Sequence, residues 1–294
     1  MAAVHHRFAT IDGHRLFYRE AGDVRKPAVV LLHGFPTSSH MFRHLIPALA
    51  NDYHVIAPDH LGFGLSDAPV ADSFDYTFDT LTRLTAGLLR TLRVDRYAMY
   101  VQDYGAPIGW RLALSDPHAV TAIITQNGNA YDAGFVEEFW TSIWAYHADP
   151  CRETEAPLRD FLSLDATRWQ YLTGVPDETL VDPDAWAHDF ALLSRPGNDA
   201  IQLALFADYA TNRPLYPRVH DYFRQSKVPL LAVWGSGDPI FGPAGAQAFT
   251  ADLPSAEVHL LDGGHFLLES ALTEVLPLIS RFLSTHIGGA GRQK

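Results

Sequence analysis

Cysteine is almost absent from this 294-residue chain, where Cys151 stands alone. A disulfide scaffold is excluded, and the thiol count fits a reducing compartment. Positive charge is also scarce, with 22 Lys and Arg against 34 Asp and Glu, a net charge of −12. That balance argues against nucleic acid or an anionic membrane surface as the main partner. No apolar run reaches membrane-spanning length, and Met1 to Thr10 lacks the apolar centre of a signal peptide. The expectation is a soluble, cytoplasmic protein. What is plentiful is apolar side chain, at 47%, which excludes disorder and can fill a large core. The oligomeric state is not legible.

No internal repeat is visible. The tail from Gly288 to Lys294 is glycine-rich and basic, and is expected to fray. Near the start, Asp12-Gly13 separates two strand-like runs, a hairpin signal. Short runs follow at Ala28–Leu32, His54–Ala57, Tyr97–Val101, Val120–Thr125, Leu230–Trp234 and Glu257–Leu261. Most are apolar at nearly every position, the pattern of strands buried on both faces of a parallel sheet. Between them lie helical spacings. Phe78, Leu81, Leu84, Leu88 and Leu92 recur every three or four residues, with Thr77 as N-cap. Gly105 to Leu114 and Ser270 to His286 also read as helices, Pro107 in a first turn and Pro277 kinking the last one. Alternating strands and helices predict an α/β fold with helices on both faces. From Ala130 to Pro214 that rhythm breaks. This stretch holds Trp140, Trp144, Trp169 and Trp186 and reads as short helices inserted between two strands. An aromatic-rich insertion beside a sheet edge suits a lid, although core packing is the plainer role for any one of these indoles.

The chemistry sits at strand ends. In Tyr97-Ala-Met-Tyr-Val-Gln-Asp-Tyr-Gly-Ala-Pro107 an apolar strand runs into Asp103, a glycine and a helix. This is the strand–turn–helix setting of a nucleophile elbow, with Val101 where the first glycine of G-x-S-x-G stands and Asp103 in place of serine. A serine that attacked a saturated carbon would leave a stable ether. A carboxylate leaves an ester, which water can cleave at its carbonyl carbon. Asp103 therefore points to displacement at sp3 carbon. A bare helix-capping role for Asp103 is the plainer alternative. In Leu31-Leu-His-Gly-Phe-Pro-Thr37 a buried strand ends at His33-Gly34-Phe35-Pro36, and the N–H of Phe35 with that of Tyr104 would form an oxyanion hole. His33 fits a turn-stabilising role better than a base. Downstream, Leu231-Ala-Val-Trp-Gly-Ser-Gly-Asp-Pro-Ile240 offers Asp238 as the acid, and Leu260-Leu-Asp-Gly-Gly-His-Phe266 offers His265 as the base. Each would be unremarkable alone in a glycine turn. Together they follow the order nucleophile, acid, histidine, each past a strand's C-terminal end. Asp262 competes with Asp238, and Asn127 and Asn129 are candidates to support the site. No metal site is expected, since neither His40 with His44 nor His5-His6 finds a third ligand.

These residues resemble the α/β-hydrolase superfamily, in its Asp-nucleophile branch of epoxide hydrolases and haloalkane dehalogenases. His33-Gly34-Phe35-Pro36 is similar to the oxyanion motif, and Asp59-His-Leu-Gly-Phe-Gly-Leu-Ser-Asp67 to the D-x-x-G-x-G-x-S turn. That turn lacks the third glycine of a dinucleotide site. The resemblance implies a mostly parallel eight-stranded sheet with helices on both faces and an inserted helical cap. The core would be residues 1–130 and 215–294, the cap 130–214. It also implies a cofactor-independent hydrolase acting on a small apolar molecule. Dehalogenases of this branch hold the halide with residues that here are Phe35 and Tyr104, neither of which matches, although Trp140 or Trp144 could supply an indole donor. Arg111 lies too far along its helix to hold a substrate carboxylate. Epoxide hydrolases use a cap tyrosine as acid. Phe206-Ala-Asp-Tyr-Ala-Thr-Asn212 is similar to the segment that carries one, which implies Tyr209, with Tyr146 as partner and Tyr131 or Tyr171 as other choices. The reading is an epoxide hydrolase, with a dehalogenase as the alternative and an inactive receptor or an esterase behind them.

Overall fold

The computed structural model describes residues 2–288. The tail singled out above therefore lies outside the described residues beyond Gly288. Strands β1 (Val4–Ile11) and β2 (His14–Ala21) pair antiparallel across Asp12-Gly13, both at positive φ as a tight primed turn requires. Then come β3 (Ala28–Leu32), α1 (Leu45–Leu49), β4 (His54–Pro58), α2 (Phe78–Thr91), β5 (Tyr97–Gln102), α3 (Gly105–Ser115) and β6 (Val120–Gln126). Helices α4 (Glu137–Ala148), α5 (Arg152–Asp160), α6 (Leu164–Leu172), α7 (Pro183–Leu193), α8 (Asn198–Asp208) and α9 (Tyr216–Ser226) separate β6 from β7 (Leu230–Gly235). The chain closes with α10 (Pro243–Asp252), β8 (Glu257–Leu261), α11 (Leu267–Ser270) and α12 (Leu272–His286).

The eight strands form one sheet in the order β1-β2-β4-β3-β5-β6-β7-β8. The hairpin joins it antiparallel through β2 and β4, and every pairing from β4 to β8 is parallel. Strands β4, β5 and β7 are buried at every position, as their unbroken apolar runs predict. Strand β8, with one neighbour, is half-exposed. Alternate residues feed two cores. Val30, Leu32, Met99 and Val101 pack with Leu81, Leu88, Ile108 and Phe223 from α2, α3 and α9. Val29, Leu31, Ala98 and Tyr100 pack with Leu45, Ile46, Val275 and Ile279 from α1 and α12.

Helix α2 starts where the sequence places it, with Thr77 Oγ1 accepting the Thr80 N–H at 3.1 Å. The last helix differs from its reading. The chain breaks at Ala271 into α11 and α12, and α12 then runs through Pro277. Between β6 and β7 the described backbone makes no strand, only an isolated bridge of Phe135 to Phe241. Helices α4 to α8 lie over the loops that follow β3, β7 and β8, while α9 returns to pack on α3 and α10. No described helix is long and apolar enough to cross a membrane.

Candidate active site

Strand β5 delivers Asp103 to the C-terminal edge of the sheet, and the turn into α3 puts its φ at +46°. A non-glycine residue held there is strained, which is the usual condition of an elbow residue. The turn is possible because Gly105 has no side chain. A Cβ there would fall 2.1 Å from the Leu32 carbonyl oxygen of β3. Asp103 does not cap α3. Its Oδ2 accepts the Phe35 N–H at 3.1 Å instead. Tyr104 is the N-cap residue of α3, so its N–H has no partner within that helix, and it makes no hydrogen bond to the carboxylate.

Past β8, the glycine turn carries His265, fully buried, with Nε2 3.6 Å from Asp103 Oδ2. On its other side Nδ1 donates to Asp238 Oδ2 at 2.8 Å. Asp238 is fixed in turn. Asn127 Nδ2 donates to Oδ2 at 2.7 Å, the Ile240 N–H donates to Oδ1 at 2.7 Å, and Asn127 Oδ1 accepts the Gly235 N–H. Asp262 is exposed and Asn129 bonds to the backbone of Tyr131, so it is Asp238 that stands beside His265 and Asn127 that supports Asp238.

Burial shapes the electrostatics. It raises the Asp103 carboxyl above its ordinary value, against the opposing pull of His265 and the Phe35 N–H. For His265, burial alone would favour the neutral ring, but Asp238 and Asp103 together reverse this and push it up to about 10. His33 is different. Burial lowers it to about 4, its Nδ1 faces the Gly34 carbonyl, and its Nε2 accepts the His60 N–H. It braces the turn. Asp59 has the same kind of role, with its carboxylate accepting the N–H groups of Ser39 and Leu65.

Two glutamines escaped the sequence reading. Gln102 Nε2 lies 2.7 Å from His265 Nε2, and Gln126 Nε2 donates to the His265 carbonyl at 2.9 Å. The signal available for both was position, since each ends a strand beside a residue already singled out.

The inserted helices bring only part of the expected set here. Tyr209 is buried against Tyr104, Phe78 and Trp140, with ring centroids at 5.7, 5.5 and 4.4 Å. Its hydroxyl, like that of its neighbour Tyr216, makes no hydrogen bond of good geometry among the described residues. Burial, then Tyr216 and the Asp103 charge, hold the Tyr209 phenol well above its ordinary value, so it remains a donor. Arg111 ties the segment down, bonding Asn212 Oδ1 at 2.6 Å and the Pro107 carbonyl. That is a framework role, not a substrate contact. Trp140 is buried in the cluster, but its indole N–H donates to the Ile240 carbonyl at 2.9 Å. Trp144 packs on Trp140 and Phe135 beneath Arg213. Tyr146 is half-buried at the margin of the same core, near Glu155 and Arg159, and its ring does not pair with that of Tyr209. Helical spacing does not decide which face of α4 looks inward, because Phe139, Trp140, Trp144 and Tyr146 spread aromatic rings around much of its circumference. Tyr171 donates to the buried Asp189, and Tyr131 to Asp252, so neither hydroxyl is free.

The loop after α6 packs against both loops that carry Asp238 and His265. Gly174 has φ +77°, and a Cβ there would meet the Gly237 oxygen at 2.1 Å, next to Asp238. Gly174→Ala is expected to cost about 1–3 kcal/mol and to lower kcat through the displaced Asp238 loop. Thermal melts and steady-state kinetics on the same preparation check both.

The chain has relatives among known proteins. An uncharacterized hydrolase of Saccharomyces cerevisiae is 43% identical over 94% of this chain and 96% of its own. A haloalkane dehalogenase of Mycobacterium marinum is 29% identical, covering 89% and 86%. Epoxide hydrolase 3 of Mus musculus is 25% identical, covering 94% and 76%. The family model described as alpha/beta hydrolase fold matches residues 27–272, from the start of β3 through the His265 turn. Sheet order, elbow and family model agree, and the chain belongs to the α/β-hydrolase fold family.

Proposed function

We propose that the protein is an epoxide hydrolase that works through a covalent ester on Asp103. The observation that carries this reading is the Tyr209 hydroxyl, buried beside the elbow and without a hydrogen-bond partner among the described residues. An opening epoxide releases an alkoxide, a poor leaving group that needs such a donor. A departing halide needs none, and the Trp140 N–H that could hold one is committed to Ile240. In this reading α4 to α8 are a cap that closes over a small, largely apolar substrate.

The steps follow from the geometry. Tyr209 donates to the epoxide oxygen. Asp103 attacks a ring carbon in line, and that C–O bond breaks as the ester bond forms. Water then attacks the Asp103 carboxyl carbon and gives a proton to His265, which Asp238 orients. The Phe35 and Tyr104 N–H groups hold the oxyanion, worth on the order of a few kcal/mol each. The tetrahedral species collapses, the alkyl oxygen takes the proton from His265, the Asp103 carboxyl returns its proton to the Tyr209 phenolate, and a vicinal diol leaves. Water and side chains supply every atom, with no cofactor in the scheme.

A single turnover in heavy-oxygen water tests it. The label is expected in the Asp103 carboxylate on peptide mapping, and an unlabelled peptide overturns the ester. Tyr209→Phe is expected to slow diol formation about 100-fold, mainly in kcat, while leaving any haloalkane turnover unchanged. The second reading, a haloalkane dehalogenase on the same three residues, has the support of the Mycobacterium marinum relative. Halide release from haloalkanes, assayed beside diol formation from styrene-type epoxides, separates the two.

A further inference from the structure

Gln102 is fully buried, and its two amide ends have different surroundings. Nε2 lies 2.7 Å from His265 Nε2, whereas Oε1 is buried with no hydrogen-bond partner among the described residues. A buried acceptor left unmatched is uncommon and needs a reason. The position of Oε1 supplies one. A Cβ built on Gly34 would touch Gln102 Oε1 at 2.7 Å and Asp103 Cγ at 2.8 Å, so both atoms border the same small space beside that glycine. Asp103 Cγ is the carbon that water attacks in the proposed ester. Only 3.6 Å separates His265 Nε2 from Asp103 Oδ2, within the span one water can bridge.

We propose that Gln102 holds the hydrolytic water, Oε1 accepting one of its hydrogens while the other points to His265 Nε2. The assignment rests on the ester reading above. Entering water replaces the Gln102 N–H at Nε2 and meets Oε1, which fixes the direction of its lone pair toward Cγ. As the oxygen bonds to Cγ, the proton on the His265 side moves to Nε2, and the hydrogen on Gln102 stays with the new hydroxyl.

The test separates ester formation from ester hydrolysis by rapid quench and intact-protein mass. Gln102→Met keeps the shape and removes both hydrogen-bonding ends. It is expected to form the ester within about threefold of the wild-type rate and hydrolyse it about 100-fold more slowly. Gln102→Glu retains an acceptor oxygen and loses the donor. It is expected to hydrolyse the ester at least about tenfold faster than Gln102→Met. Wild-type ester decay in Gln102→Met overturns the proposal. So does a parallel slowing of both steps, the sign of a merely structural residue. If Gln102→Met fails to fold, collapse of ester decay in Gln102→Glu overturns it, because only the donor has then mattered. His265→Gln is the control. An adduct there but none in Gln102→Met sinks the water role alone, and no adduct in either sinks the ester reading and this proposal with it.

Discussion

Replacing Asp103 by Asn is expected to lower kcat/KM on an epoxide by at least about 10⁴-fold, because the amide oxygen carries no charge to place on carbon. The protein is expected to survive the change well. Burial holds the Asp103 carboxyl above its ordinary value, so its ionised form is the less stable one inside the fold. The sign follows. A group whose folded value is raised, when its charged form is the deprotonated one, costs stability above its unfolded value. Asp103→Asn therefore leaves the melting temperature at neutral pH unchanged or higher, as sites strained for function often do. Diol formation and thermal melts on one preparation check both halves. Activity within about tenfold of wild type removes Asp103 from the chemistry. Lost activity with a large fall in melting temperature points instead to a structural defect.

His265→Gln is expected to stop the cycle halfway. Alkylation of Asp103 needs no base, so one equivalent of ester forms in a burst and then persists, with turnover down about 10³–10⁴-fold. Intact mass after mixing with epoxide reads this directly, and full loss of the burst would assign His265 to the first step. A pH effect accompanies it. His265 has a folded value of about 10 against 6.5, held up by Asp238 and Asp103 against the cost of burial. A raised histidine contributes stability that is present in full below 6.5 and is lost as pH rises through about 10. The wild-type melting temperature is expected to fall across that window, and the fall to flatten in His265→Gln. The ester should also weaken the hold on this proton, because it removes the Asp103 charge from one side of the ring. Ester hydrolysis is then expected to accelerate with rising pH and to level off below about pH 10.

The parts of the site most legible in the chain are those governed by local rules. The order of strand, turn and helix around Asp103 follows from the apolar run of β5, the glycine at 105 and the periodicity behind it. His33 was legible as a brace because it sits within its own turn, where its partners Gly34 and His60 also lie in tight loops. The choice between Asp238 and Asp262 was harder. Asp262 is nearer in sequence to His265, yet the turn leaves it exposed while β7 brings Asp238 to Nδ1. Sequence distance within a turn says little about which side chain faces inward.

The inserted helices show where such reading stops. Tyr209 and Tyr146 are both tyrosines in an aromatic stretch, and composition gives no reason to prefer one. Packing against Tyr104 and Phe78 buries the first, while α4 directs the second to Glu155 and Arg159. The indole of Trp140 could have faced a ligand until the Ile240 carbonyl took its N–H.

By itself the sequence determined the parallel sheet, the elbow and the order of the acidic and histidine turns along the chain. Those depend on apolar periodicity and on turns that a few neighbouring residues specify. Only the tertiary structure decided which polar groups meet. Gln102 reaches His265 across 163 residues of chain and Asn127 reaches Asp238 across 111, and buried polar atoms find their partners through sheet order and loop packing, which no local pattern encodes.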